Sequence, residues 1–254
     1  LLTKVVGGGK VTLGDDTTSG GDTQPAADIN VPGDYATIQA AIDAAKDGDV
    51  IVIGKGVFKE NLFVSGKSIK LIGAGPSKSI IDGNNQNSVI QILDNSSVKL
   101  VGLQFTNGLG RLVENPLGNQ GGGVLVVDSK VDIQYCSIYK NRCVGETPVG
   151  GGLSGIGSVV TIDRSMIYSN ETGYEGAGVR VYMTDLTILN SVIFNNTITA
   201  ESYLGGSAIH GHMGDNNFVS IINCTVTSNK VSGGTSENRT PAAIFLHRYG
   251  EVLI

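Results

Sequence analysis

One coil pattern recurs from about residue 90 onward, at an irregular spacing of 26 to 34 residues. Asn107, Asn141, Asn170, Asn196 and Asn229 each close a short strand, and the positions before the last four read in register. Ten and eight residues before them stand Val131 and Ile133, Val160 and Ile162, Leu186 and Ile188, Val219 and Ile221; five and three before stand Cys136 and Ile138, Ser165 and Ile167, Ser191 and Ile193, Cys224 and Val226. A further strand opens each coil behind glycine or another small residue, beginning at Val124, Leu153, Val179, Ile209 and Ile244. Apolar pairs two residues apart, repeated at a period too long for a hairpin ladder, mean short strands stacked on their counterparts in the next coil. The expected fold is therefore all-β, a solenoid of parallel strands.

Composition agrees with that reading and excludes others. A chain of 254 residues with 40% hydrophobic content buries a substantial core. The 37 glycines and 6 prolines lack a Gly-X-Y period, which excludes collagen and fits many tight turns. With 16% charged residues and a net charge of −5 there is no nucleic-acid footprint, and no apolar run is long enough for a membrane span. The three cysteines form no evident disulfide: Cys136 and Cys224 share one slot three coils apart, too far to bridge at the spacing of stacked strands, and Cys143 is expected in a loop as a free thiol.

Residues 1–28, rich in Gly, Ser, Thr and Asp, read as a linker or the tail of an upstream segment, and the β domain as 29–254. Thr37 to Ala45 is expected to be a helix with Ile38, Ala41, Ile42 and Ala45 on one face, covering the open end of the core before the first coil. Val50 to Ile53, Leu62 to Val64, Ile69 to Ile72 and Ile80-Ile81 supply the first strands. Val252 and Ile254 match Val131 and Ile133, so the chain is expected to stop inside a coil and to continue natively or be covered by another chain, self-association through that end included. The recurring Asn is expected to take a left-handed turn while its amide bonds the next Asn along the axis. Asn95, Asn170, Asn195, Asn223 and Asn238 also satisfy the N-x-Ser/Thr pattern, read here as coincidence because several lie on the ladder or in strands.

The segment Val-Pro-Gly-Asp-Tyr35-Ala-Thr-Ile-Gln-Ala-Ala-Ile42-Asp-Ala-Ala-Lys-Asp-Gly-Asp-Val50, followed by Gly73-Ala-Gly-Pro-Ser and Ile81-Asp-Gly, resembles the opening of right-handed parallel β-helix proteins of the pectate-lyase-like superfamily. The later coils are similar to the degenerate repeats of bacterial surface β-helix proteins of the polymorphic outer-membrane type, with Ile or Val where their Phe-x-x-Asn motif has Phe. The resemblance implies a right-handed parallel β-helix with an N-terminal capping helix. It implies little about activity, because the superfamily includes lyases, hydrolases, esterases, adhesins and phage spikes.

Alternate side chains of a strand point away from the core. On the glycine-led strands these form a stripe: Leu125 and Val127, Ser154 and Ile156, Arg180 and Tyr182, His210 and His212, Phe245 and His247. All three histidines therefore fall on one face, on neighbouring rungs, beside Arg180, Tyr182, Phe245 and Arg248. An exposed stripe of this kind suits a polysaccharide or cell-surface glycan along the axis, with rings on sugar faces and Arg or His on hydroxyls or uronate carboxylates. Ordinary wetted strand surface gives the same pattern. In a polysaccharide lyase Arg180 would neutralise the uronate, His210 or Tyr182 would remove the adjacent proton, and His212 or His247 would assist the leaving oxygen. His210 and His212, with Asp215 close by, lack a third metal ligand of clear geometry, so no metal site is assigned. No cofactor is expected; calcium would need converging carboxylates, and Asp163 and Asp185 are scattered. No Asp or Glu occupies the stripe, which weakens the glycosidase and esterase readings, although the loop carboxylates Glu146, Glu171, Glu175 and Glu201 are placed to lean over it.

Three functions stay open on the sequence: a secreted or cell-surface module for glycan binding or adhesion, a lyase acting on an acidic glycan by β-elimination, and a structural module assembling end to end.

Overall fold

The computed structural model describes residues 29–114, 117–199, 206–232, 243–248 and 251–252. The 1–28 linker, Asn238, Glu201 and Ile254 lie outside them. Each coil turns through three strands. In one coil these are Lys130–Gln134, Ser137–Tyr139 and Leu153–Ile156, and each pairs in parallel with its equivalents in the coils on either side. The rungs stack into three long sheets of eight, seven and eight strands among the described residues, with a four-stranded sheet of two-residue strands at one corner. The apolar pairs that define the repeat all face inward: Val131, Ile133, Ile138, Val160, Ile162, Ile167, Leu186, Ile188 and Ile193 are fully buried in one continuous core. Period-2 alternation thus fixes the register, since a slip of one residue would turn every such pair to solvent.

The helix spans Ile38–Ala44, with Thr37 as N-cap accepting from Ala40 N. Both carboxylate oxygens of Glu60 accept from its first amides, Ile38 N and Gln39 N, at 2.9 Å. At its other end Lys67 Nζ donates to the carbonyls of Ile42, Asp43 and Ala45 at 2.8 Å. An acid at the amino end and a base at the carboxyl end satisfy orphan groups and match the helix dipole. Ile38, Ala41, Ile42 and Ala45 are buried against the first strands, as the spacing predicts. The strand Ile29–Val31, in register with Ile51 to Ile53, adds a rung ahead of the helix.

Rows of buried polar side chains run along the corners. Asn141 Nδ2 and N both donate to Asn170 Oδ1, Asn170 does the same to Asn196, and Asn196 to Asn229, at 2.9 to 3.1 Å. The remaining amide hydrogen of Asn141, Asn170 and Asn196 goes to Phe105 O, Ile138 O and Ile167 O. At a second corner Ser96 N donates to Ser129 Oγ, Ser129 N to Ser158 Oγ, and Ser158 N to Thr184 Oγ1. At a third, Cys136 N donates to Ser165 Oγ and Ser165 N to Ser191 Oγ.

Several sequence expectations require correction. The left-handed turn is taken by the residue before each ladder asparagine: Lys140, Ser169, Asn195 and Ser228 have φ between 54° and 56°, whereas the ladder residues do not. Asn107 occupies that turn slot too (φ 56°), so Gly108 holds the ladder position, its N donating to Asn141 Oδ1. A side chain cannot stand there, because a Cβ on Gly108 would lie 1.8 Å from Gly122 O. Cys143 is in the two-residue strand Arg142–Cys143, fully buried, and not in a loop. Cys136, Cys143 and Cys224 are free thiols. Val252 belongs to Glu251–Val252, which folds back antiparallel on Ile244–Arg248 and opposes His247, so it does not open the next coil beside Val219. Among the described residues no helix is long and apolar enough to cross a membrane.

Candidate functional site

The three glycine-led strands Val179–Tyr182, Ile209–Met213 and Ile244–Arg248 lie side by side. Their register places Arg180, His210 and Phe245 in one row and Tyr182, His212 and His247 in the next. Val179, Val181 and Ile209 go into the core, which turns the other set away from it. The sequence reading of which side chains share a face therefore holds. The expected exposure does not: His210 is 0% and Arg180 5% accessible, and upstream on the same stripe Leu125 and Ser154 are buried. Tyr182, His212, Phe245 and His247 remain half-buried. The side chain of Arg248 lies outside what the structure describes.

Two residues that immediately precede the small-residue triplets of glycine-led strands cover the stripe. Glu175, 3% accessible, brings Oε2 to 2.9 Å from His212 Nε2 and 3.6 Å from His210 Nε2. Its turn is made by Gly176 at φ 59°, where a Cβ would lie 2.8 Å from Arg180 Cβ, so only glycine lets the acid fold back this closely. Gln120, 1% accessible, accepts on Oε1 from Ser154 Oγ at 2.8 Å and from Arg180 Nη1 at 3.2 Å, spanning two rungs. Arg180 also lies over the Tyr182 ring at 5.2 Å. Of the four loop carboxylates, Glu146 and Glu171 are exposed, and Glu175 alone among the described residues meets the histidines.

Gln120 escapes the stripe reading, yet its slot is visible in the sequence. Gln120, Val149 and Glu175 each stand immediately before a small-residue triplet that begins with glycine, and they pair with one another in parallel. One position per coil thus faces the stripe from the turn, and two of its three occupants are polar.

The imidazoles crowd together. Ring centroids are 4.0 Å apart for His212 and His247, 4.8 Å for His210 and His212, and 5.6 Å for His210 and His247. Phe245 packs on His210 at 5.3 Å and Tyr182 on His212 at 6.0 Å. His212 Nε2 faces a carboxylate, which fixes it as the protonated nitrogen donating to Glu175. Burial alone would raise the Glu175 carboxyl, but the hydrogen bond from His212 and the electrostatic influence of His210, His212 and Arg180 outweigh it and hold the group below its ordinary value. Burial lowers Arg180 in turn, and burial together with His212 lowers His247. Arg180 Nε and His247 Nε2 are buried atoms without a hydrogen-bond partner among the described residues. One acid, one arginine and three imidazoles therefore meet where the outer two histidines reach solvent. Such a site can hold a proton, an anion or a cation in a fixed geometry.

Two other surfaces were candidates for ligand contact. Tyr139, Tyr168 and Phe194 stack on successive rungs at 5.0 and 4.8 Å, nearly parallel, so their faces are spent on one another and they serve as a structural row. Upstream on the stripe, Leu125 and Val127 line a depression of about 340 Å³ against Asp94, Arg111, Leu112 and Glu114. Arg111, on its wall, donates to Gln91 Oε1.

A family model described as right handed beta helix region matches residues 48–247. No curated protein sequence matches the chain. Among solved structures, the pectin methylesterase PemA from Erwinia chrysanthemi aligns over 89% of this chain and 90% of its own, with 13% identity and a TM-score of 0.45. The pectin methylesterase from carrot aligns over 88% of each chain, with 12% identity and a TM-score of 0.39. At these values neither structure bears on what this chain does.

Proposed function

The chain belongs to the right-handed β-helix family, and on that premise we propose that it is a module of a secreted or cell-surface protein that binds a glycan along the glycine-led sheet. The observation that carries this reading is the row of Tyr182, His212 and His247, in register on three neighbouring rungs and half-buried. Each leaves part of its ring open to solvent, and the rungs repeat in the direction a linear polymer would lie. Beneath them Arg180, Glu175 and Gln120 are held by one another and by Ser154, so the floor is organised before any ligand arrives. Preorganisation of this kind reduces the ordering cost of binding.

β-Elimination draws less support from the geometry. The reaction needs a cation free to neutralise a uronate, whereas Arg180 is buried, bonded to Gln120 and balanced by the charge of Glu175. The test is a binding screen against acidic and neutral polysaccharides with parallel monitoring of unsaturated uronate by ultraviolet absorbance. Saturable binding that falls at least about tenfold in Tyr182→Ala and His212→Ala, without product, is the expected result. Product formation lost in the same variants would replace this reading with a lyase. No binding to any polysaccharide, or binding indifferent to both substitutions, would remove it.

A further inference from the structure

We propose that His210, His212 and His247 form a binding site for one divalent transition-metal ion of the zinc class, with Glu175 as the fourth protein group. The ligand atoms of the three histidines all lie within 4.8 Å of one another. Two nitrogens bound to one tetrahedral zinc stand about 3.4 Å apart, from bond lengths of about 2.0 to 2.1 Å. The set is therefore loosely preformed, and small rotations of His212 and His247, the two half-buried members, close it. Glu175 Oε2 sits 2.9 Å from His212 Nε2, a hydrogen bond, and 3.6 Å from His210 Nε2, two distances that bracket that ligand separation.

The donor chemistry selects the ion. Three neutral imidazoles and one carboxylate suit zinc, cobalt, nickel or copper, whereas calcium and magnesium prefer an all-oxygen shell. A metal also accounts for His247 Nε2, a buried nitrogen that no described residue satisfies, on a ring that packs edge-on against the two other imidazoles. Replacing the His212 hydrogen bond to Glu175 with coordination leaves a carboxylate against a dication, which favours the exchange electrostatically. Asp215, the sequence candidate beside the histidine pair, is exposed. The third ligand comes instead from the next rung, through the parallel pairing of His212 with His247.

The proposal stands apart from the glycan reading, because its test needs no glycan. Tag-free protein stripped with a chelator is titrated with cobalt(II) chloride and then zinc chloride. The chain has three histidines in all, so one equivalent of cobalt should shift every imidazole proton resonance of the wild-type protein together, with a visible ligand-field band that zinc abolishes. His212→Gln and His247→Asn, both at half-buried positions and checked by circular dichroism, should each weaken binding by about 100-fold or more. Glu175→Gln should weaken it by about 10- to 100-fold, and Asp215→Ala should leave it unchanged. The wild-type resonance experiment decides the matter even if a variant fails to fold. Absence of one-to-one binding, imidazole signals that shift one at a time, or affinity retained in folded His247→Asn would each overturn the assignment.

Discussion

The same coils carry two sets of buried polar side chains, and they behave differently. Asn141, Asn170 and Asn196 are fully buried, evenly repeated, and bonded through each atom of the amide to a fixed partner. Arg180, His210 and Glu175 are buried to a similar degree, yet they occur on two adjacent coils, differ in kind from rung to rung, and leave Arg180 Nε without a described partner. Burying a polar group costs about 1 to 3 kcal/mol when its hydrogen bond is missing. A row that satisfies every group is stabilising architecture; a cluster that does not gains less from its own contacts. The asparagine row joins periodicity to satisfaction, and the cluster beside the histidines has neither.

That contrast predicts a hierarchy of effects. Asn170→Ala removes an acceptor for two donors and strands Ile138 O, and it should cost about 3 kcal/mol or more by urea unfolding. Gly108→Asn, which would extend the ladder by one coil, should cost about 2 kcal/mol or more in the same measurement, because the new Cβ has Gly122 O in its place. The double substitution Arg180→Met with Glu175→Leu removes two opposite buried charges together and leaves the half-buried His212 without its acceptor, so it should cost only about 1 kcal/mol. A loss as large as that of Asn170→Ala would make the cluster a structural row after all and break the comparison. The smallest effect concerns thiols. Burial pushes both Cys136 and Cys143 up to about 12, so a neutral thiol reagent should label Cys224 in the folded protein and reach the other two only after unfolding. Labelling of Cys136 in the native state would mean that its corner is open to water and that the rows are less closed than described.

How much of this was legible in the sequence follows from the range of each signal. Strand register was readable because it depends on local alternation, and the capping helix because Thr37 and the Ile38, Ala41, Ile42, Ala45 face are contiguous. The turn was misplaced by one residue, because the sequence displays the repeated side chain, while the backbone places its positive φ on the variable residue before it, such as Lys140 or Ser169. The stripe was read correctly as a face and incorrectly as open surface. What covers it is Gln120, 60 residues from the Arg180 it bonds, together with Glu175, one of four loop acids that looked equivalent. His247 as a companion to His212 was visible as a register match, but the convergence of three ligand atoms depends on side-chain directions that strand spacing does not fix.

The corner rows also have a direction. In every link of the asparagine, hydroxyl and Cys136-to-Ser191 rows, the amide belongs to the earlier coil and the accepting oxygen to the later one. A coil therefore cannot complete its own corners; Asn141 N waits for an oxygen that arrives 29 residues further along. Each turn of the solenoid is finished by its successor, and removing a coil from the far end reopens donors on the coil before it.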